Sequence, residues 1–228
     1  MLKELWSTRC LICLQVITAS WPLEHLCPDC FNVLPWNKSA CARCATPLPM
    51  AQPYCAHCLS KPAYQQWSTI LFHYTPPISD WIHAAKFENS FLHCRLLGQL
   101  LSHTLTIQRT APWPQSILPM PLHSRRLRQR GYNQAIEIAR PICNHLSISP
   151  ENAALQRHRY SKPQSELNLK ERKHNVQNSF RLAQPVRHAH IALLDDVTTT
   201  GNTLDAAAHA LLASGPLQLE YWCIAKPF

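Results

Sequence analysis

Four C-x-x-C pairs crowd the first sixty residues: Cys10 with Cys13, Cys27 with Cys30, Cys41 with Cys44, and Cys55 with Cys58, with 13, 10 and 10 residues between successive pairs. A C-x-x-C turn sets two thiolates along one edge of a tetrahedron, and two such turns close a four-cysteine zinc site. Eight cysteines therefore make two zinc sites. A lone C-x-x-C can be a redox motif, but four evenly spaced pairs point to metal. Sites closed by four cysteines keep no open position for chemistry, so both ions are expected to be structural. Sequential pairing is the expected arrangement: Cys10, Cys13, Cys27 and Cys30 on one ion, Cys41, Cys44, Cys55 and Cys58 on the other. An interleaved cross-brace of the same eight ligands is the alternative. His25 and His57 lie among the ligands as bystanders, and Cys94, Cys143 and Cys223 read as ordinary buried thiols.

The second chemical cluster is IALLDDVTTTGNTL, residues 191–204. Asp195 and Asp196 end an apolar run and can accept hydrogen bonds from a pair of sugar hydroxyls. Thr198, Thr199, Thr200, Gly201, Asn202 and Thr203 then open a helix, where free N–H groups and the helix dipole favour a phosphate. Gly201 lets the backbone approach that phosphate. The chain has 4 glycines, where average usage would give about sixteen. Gly131 and Gly201 are two of them, and both sit in candidate ligand loops.

Charge marks the third. Residues 121–190 hold 13 of the 22 basic and 4 of the 13 acidic residues, so the rest of the chain carries nine of each and the whole +9 excess sits in this segment. Such a segment suits an anionic partner, a polyphosphate or a nucleic acid.

These residues need elements to hold them. Strands are expected at 67–74, 116–121, 190–196 and 217–225, the third as a run buried on both faces. Helices are expected at 79–87, 94–105, 134–146 with a bend at Pro141, and 203–214 before Gly215-Pro216. Alternating strands and helices imply a doubly wound parallel sheet with ligands at the carboxyl ends of its strands. The 60-residue cysteine segment has too small a core to fold without metal. A boundary is expected near residue 62, with a double zinc ribbon over 1–62 and an α/β domain over 63–228.

The chain has 228 residues and is 46% hydrophobic, which permits a packed core and argues against disorder. No apolar stretch reaches the ~18 residues of a membrane span. Residues 11–23 are interrupted by Gln15 and Thr18, so no export signal is read, and a cytoplasmic location with reduced thiols is expected.

The 191–204 stretch resembles the ribose-5-phosphate binding signature of type I phosphoribosyltransferases, which bind 5-phosphoribosyl-1-pyrophosphate (PRPP). Thr198 takes a place often held by an aliphatic residue. With the ribbons, Pro121-Leu122, the run Arg130 to Ala135 (RGYNQA), Gln164, Leu167, Arg172, Asn175 and Phe180, nearly the whole chain resembles the ComF/GntX family, known from DNA uptake and from use of DNA as a nutrient. Ser161 stands where a threonine is expected. The resemblance implies a type I phosphoribosyltransferase-like sheet with helices on both faces. The loop 122–131 would then hold pyrophosphate through Arg125, Arg126, Arg130 and Gly131. Arg157, Arg159, Lys162 and Arg172, in the hood 157–175, would neutralise the leaving group, and Mg2+ would be bound mainly by PRPP itself.

Thr199 stands where purine phosphoribosyltransferases often carry a carboxylate base. Two functions follow from the resemblance. One is a DNA-uptake protein that binds PRPP, holds single-stranded DNA and meets uptake machinery. The other is an active PRPP-dependent transferase with an unidentified nitrogen acceptor. A zinc-ribbon transcription factor leaves the PRPP signature unexplained.

Overall fold

A computed structural model describes residues 8–17, 21–50, 52–60, 63–158, 179–215 and 217–228. Two short helices, α1 (Pro28–Asn32) and α2 (Ala56–Leu59), each follow a cysteine of the ribbons. Five strands then form one all-parallel sheet in the order β1-β7-β6-β2-β3: β1 (Trp67–His73), β2 (Ser116–Pro119), β3 (Ser149–Pro150), β6 (His190–Val197) and β7 (Gln218–Lys226). A separate antiparallel pair joins β4 (Leu155–Arg157) to β5 (Phe180–Leu182). The helices between strands are α3 (Ile78–Phe87), α4 (Phe91–Gln108), α5 (Ser124–Arg130), α6 (Gln134–Leu146) and α7 (Asn202–Leu212).

The sheet is covered on both faces, and its strand sequences show why. Side chains alternate across a strand. In β6, Ala192 and Leu194 join one core cluster while Ile191 and Leu193 join another. In β7, Trp222 and Ile224 go to the first, and Leu219, Tyr221 and Cys223 to the second. The first cluster also takes in residues of α3, α4 and α6; the second takes in residues of α7 and the β4–β5 pair. The helices α4 and α6 cross closely. A Cβ on Gly98 would stand 2.3 Å from the Ile138 carbonyl oxygen and 2.5 Å from Pro141 Cγ, so only glycine fits. The helix α6 runs unbroken through Pro141.

The ribbons are built into this body. Cys10, Leu23, Leu26 and Leu34 share the first core cluster with Leu97, Trp222 and Ile224. The outer edge of β1 is paired rather than bare: Trp36 bridges Phe72, Asn37 N–H donates to the Leu71 carbonyl at 2.8 Å, and Ser68 N–H donates to the Ala42 carbonyl at 2.6 Å. That covers an edge otherwise open to intermolecular pairing. The hydrophobic core is thus continuous across the boundary expected near residue 62.

One expected loop is a helix. Residues 124–130 form α5, whose first turn is capped by His123 Nδ1 accepting from Arg125 N–H at 3.1 Å and whose end is set by Gly131 at φ 81°. A left-handed glycine is the usual stop for a helix. Among the described residues, no helix is long and apolar enough to cross a membrane.

Candidate functional site

The eight cysteines fall into two groups. Cys10, Cys13, Cys27 and Cys30 place their sulfurs within 4.8 Å of one another, as do Cys41, Cys44, Cys55 and Cys58. Sequential pairing is therefore the arrangement of the fold. The Cys13–Cys27 and Cys44–Cys55 sulfur distances, 3.6 and 3.7 Å, suit the edge of a tetrahedron with metal–sulfur bonds of about 2.3 Å. Backbone N–H groups add charge relief for thiolates: Cys30 N–H donates to Cys27 Sγ at 3.5 Å and Cys55 N–H to Cys41 Sγ at 3.3 Å. The donor set and its spacing fit two structural zinc ions. Neither His25 nor His57 joins a cluster. Cys94, Cys143 and Cys223 are buried, and burial pushes Cys94 up to about 12 and Cys143 up to about 11, so both stay neutral thiols.

The sheet order places its switch point between β2 and β6: from β2 the chain crosses outward to β3, and from β6 it crosses the other way to β7. Open α/β sheets bind ligands outside the carboxyl ends of the strands at such a point. A crevice of about 1170 Å3 opens there. Its floor is Asp195 and Asp196 at the end of β6, followed by the turn Thr198 to Thr203 that leads into α7. Gly201, at φ 83°, caps that helix in a conformation that favours glycine. Arg126 and Arg130 approach from α5, and Arg157 from β4. The crevice thus gathers Arg126, Arg130, Arg157, Asp195, Asp196 and the whole run Thr198 to Thr203. Arg125 and Gly131 do not line it. Arg159, Lys162 and Arg172 lie outside the described residues.

The electrostatics are those of two acids forced together. Burial and the neighbouring Asp196 push Asp195 up to about 7, against the pull of Lys86 and Arg157. Asp196, 4% exposed, receives the Lys86 ammonium at 2.9 Å. Burial works to lower Lys86, but Asp196 and Asp195 outweigh it and raise its pKa. Arg130 packs over the Phe87 ring at 5.3 Å and bonds Gln134 Oε1. Burial lowers Arg130 and Arg157 from the ordinary arginine value. Arginines desolvated in this way gain from an anion more than they would in open solvent.

Several crevice residues carry no motif of their own. Lys86 and Phe87 end α3, Thr46 and His57 come from the second ribbon, and Lys226 ends β7. For Lys226 the sequence holds a signal: it is the last residue of β7, level with the end of β6, where the strand-end rule places ligand groups. For Lys86 it holds none, since a cation in the last turn of a helix is ordinary.

Comparison with known proteins agrees with this arrangement. Residues 1–59 match the double zinc ribbon domain family. The chain is 32% identical over 209 residues to the DNA utilization protein YhgH of Salmonella typhi, covering 90% of this chain and 92% of that protein. It is 32% identical over 169 residues to Competence protein F of Haemophilus influenzae, covering 69% of this chain and 71% of the relative. Among solved structures, hypoxanthine phosphoribosyltransferase from Trypanosoma cruzi aligns over 60% of this chain and 75% of its own at 11% identity and a TM-score of 0.33, too slight a likeness to add to the topology. With 32% identity across nine-tenths of both chains, a double zinc ribbon at its start and a parallel α/β sheet behind it, the chain belongs to the ComF/GntX family.

Proposed function

We propose that this protein serves DNA utilisation and that its crevice binds PRPP with Mg2+. One observation carries the reading: Asp195 and Asp196 share a single crevice at the sheet's switch point with Arg126, Arg130, Arg157 and the hydroxyl-rich turn. Each part matches a part of the ligand. The acids take the ribose hydroxyls as charge-assisted acceptors. The turn Thr198 to Thr203 offers N–H and hydroxyl donors to the 5′-phosphate. Arg126 and Arg130 take the pyrophosphate, with Arg125 and Gly131 shaping the helix that carries them. Mg2+ neutralises pyrophosphate oxygens, which supply most of its ligands. Arg157 adds a further cation for the pyrophosphate, and Arg159, Lys162 and Arg172, outside the described residues, are proposed to share that neutralising role.

The DNA part of the reading is supported by the relatives' names, a DNA utilization protein and a competence protein. It is also supported by the basic segment 121–190. Single-stranded DNA is the proposed macromolecular ligand, uptake machinery the proposed partner and the cytoplasm the proposed location, without membrane insertion.

The test is ligand-induced stabilisation. A ligand present at about 100 times its Kd adds about 2.7 kcal/mol, which for a chain of this size raises Tm by about 5–10 °C. PRPP with Mg2+ is expected to give such a rise, and ribose-5-phosphate a smaller one. No change in Tm at millimolar PRPP would overturn the reading. Release of pyrophosphate when a nucleobase is added would move the protein from PRPP binding to transferase chemistry.

A further inference from the structure

One wall of the crevice comes from outside the sheet. Cys44, Thr46, Cys55 and His57 of the second ribbon face the acids and the hydroxyl turn across it, and no described residue of the first ribbon lines it. A chain of short contacts joins that wall to the turn. Cys44 Sγ lies 3.2 Å from Thr46 Oγ1. The Lys226 ammonium donates to Thr46 Oγ1 at 3.3 Å and to the Cys44 carbonyl at 2.8 Å. Lys226 follows Ala225, whose carbonyl accepts the Thr198 N–H at 3.1 Å.

We infer that Lys226 is a phosphate-contacting residue of the PRPP site, that Thr46 of the second zinc ribbon positions it, and that metal in that ribbon and PRPP in the crevice therefore strengthen each other's binding. This rests on the PRPP reading and goes beyond it. The geometry of charge carries the first part. The strand β7 flanks β6 on the side away from β2. Arg126 and Arg130 reach the crevice from the β2 side and Arg157 from β4, all remote from β7 in the chain's layout. The turn Thr198 to Thr203 brings hydroxyls and N–H groups but no cation. It also precedes Asp205, an acid in the first turn of α7 that bonds the Tyr221 hydroxyl at 3.0 Å. A phosphate dianion beside that acid needs a cation, and among the described crevice residues Lys226 is the one β7 supplies.

The second part follows from how a lysine is held. Its four-carbon side chain is flexible, and fixing it costs rotamer entropy. Two acceptors from the ribbon meet that cost before ligand arrives. When Cys44 is a metal-bound thiolate it accepts the Thr46 hydroxyl proton, which turns the lone pairs of Thr46 Oγ1 toward Lys226. Losing the metal removes the turn geometry that presents Thr46 Oγ1 and the Cys44 carbonyl to Lys226. Coupling of this kind is reciprocal, so PRPP must hold the metal as firmly as the metal favours PRPP.

Two measurements on the full chain test this. Calorimetric titration with PRPP and Mg2+ is expected to show Lys226→Met weakened at least tenfold and Thr46→Val several-fold. Both variants should retain two zinc ions per chain, which separates a lost contact from a lost fold, and Lys226→Arg should recover part of the affinity. Zinc release to a colorimetric chelator is expected to slow with PRPP for one of the two ions and not for the other. Wild-type binding with unchanged affinity in Lys226→Met, or equal protection of both ions, overturns the inference and leaves the PRPP reading standing. No PRPP binding by the wild type overturns both.

Discussion

The Lys86 ammonium sits 2.9 Å from Asp196 Oδ2, with the carboxylate side chain 5% exposed and the lysine 22%. This pair ties the end of α3 to the end of β6. It places a positive charge beneath two adjacent acids that would otherwise repel each other in a buried setting. Arg157 also acts on Asp195 and Arg130 lies within reach of Asp196, while the acids in turn help keep the Cys94 and Cys223 thiols neutral; Tyr74 acts on Lys86.

The pair also sets how the site responds to pH. Asp195 is raised to about 7 by burial and by Asp196, with Lys86 opposing. A ligand that needs both acids ionised binds less well as pH falls through that value. Lys86→Met removes the opposing charge and moves the fall to higher pH. PRPP affinity in the variant is expected to drop about tenfold near pH 7, in step with the smaller ionised fraction of Asp195, and to recover toward pH 9. Lys86→Arg should keep the wild-type profile. Calorimetry across pH 6–9 checks this, and a deficit constant with pH would reject the electrostatic role of Lys86.

At the other end of the sheet, Glu220 is fully buried. It accepts two bonds from Arg109 at 2.8 and 2.7 Å, one from Trp222 Nε1 at 2.9 Å, and it meets His190 Nε2 at 2.7 Å. Burial would raise its pKa, but these partners, Arg109 foremost, hold it below the usual carboxylate range. A depressed acid stabilises above its unfolded pKa of about 4.3 and loses that contribution as pH falls. Glu220→Ala strands a buried arginine and is expected to cost about 3–5 kcal/mol at neutral pH. It should also flatten the acid limb of the stability curve. Thermal unfolding between pH 3 and 8 checks both.

Much of this fold was legible in the chain. The run His190 to Asp196 is apolar on both faces, and a strand buried on both faces has to be; it forms the centre of the sheet. The eight ligands were legible from the C-x-x-C turns, but their pairing was not: the spacings of 13, 10 and 10 residues allow a sequential or an interleaved arrangement, and the folded chain brings the sequential sets together. The helix α5 was not legible. It buries no residue, so it leaves no apolar period, and its ends depend on a His123 cap and a left-handed Gly131. Nor were Lys86, Thr46 and Lys226 as a group. They come from the end of α3, the second ribbon and the end of β7, and only tertiary packing brings them to one crevice.

Single-stranded DNA binding should be dominated by phosphate contacts from α5, whose Arg125 and Arg128 are exposed. Phe87 and Phe91, 64% and 53% exposed, stand beside Arg130 and Tyr132 and offer rings for bases. Log K is expected to fall by ~0.7 per contacted phosphate for each decade of salt. Phe91→Ala should weaken binding by about 1–3 kcal/mol whatever the sequence. PRPP should displace the strand, because Arg126 and Arg130 would serve both ligands. Fluorescence titration of labelled oligonucleotides at two salt concentrations, with and without PRPP, checks this; no binding at low salt would remove the direct DNA role.

The most direct test of the PRPP site is calorimetric titration of the Asp195→Asn, Asp196→Asn double variant with PRPP and Mg2+, beside the wild type. Two charge-assisted hydrogen bonds at roughly 1.5–3 kcal/mol each are lost, so affinity is expected to fall by well over tenfold. Zinc content should stay at two ions per chain and far-ultraviolet circular dichroism should stay unchanged. Wild-type affinity in a folded double variant would place PRPP somewhere other than this crevice.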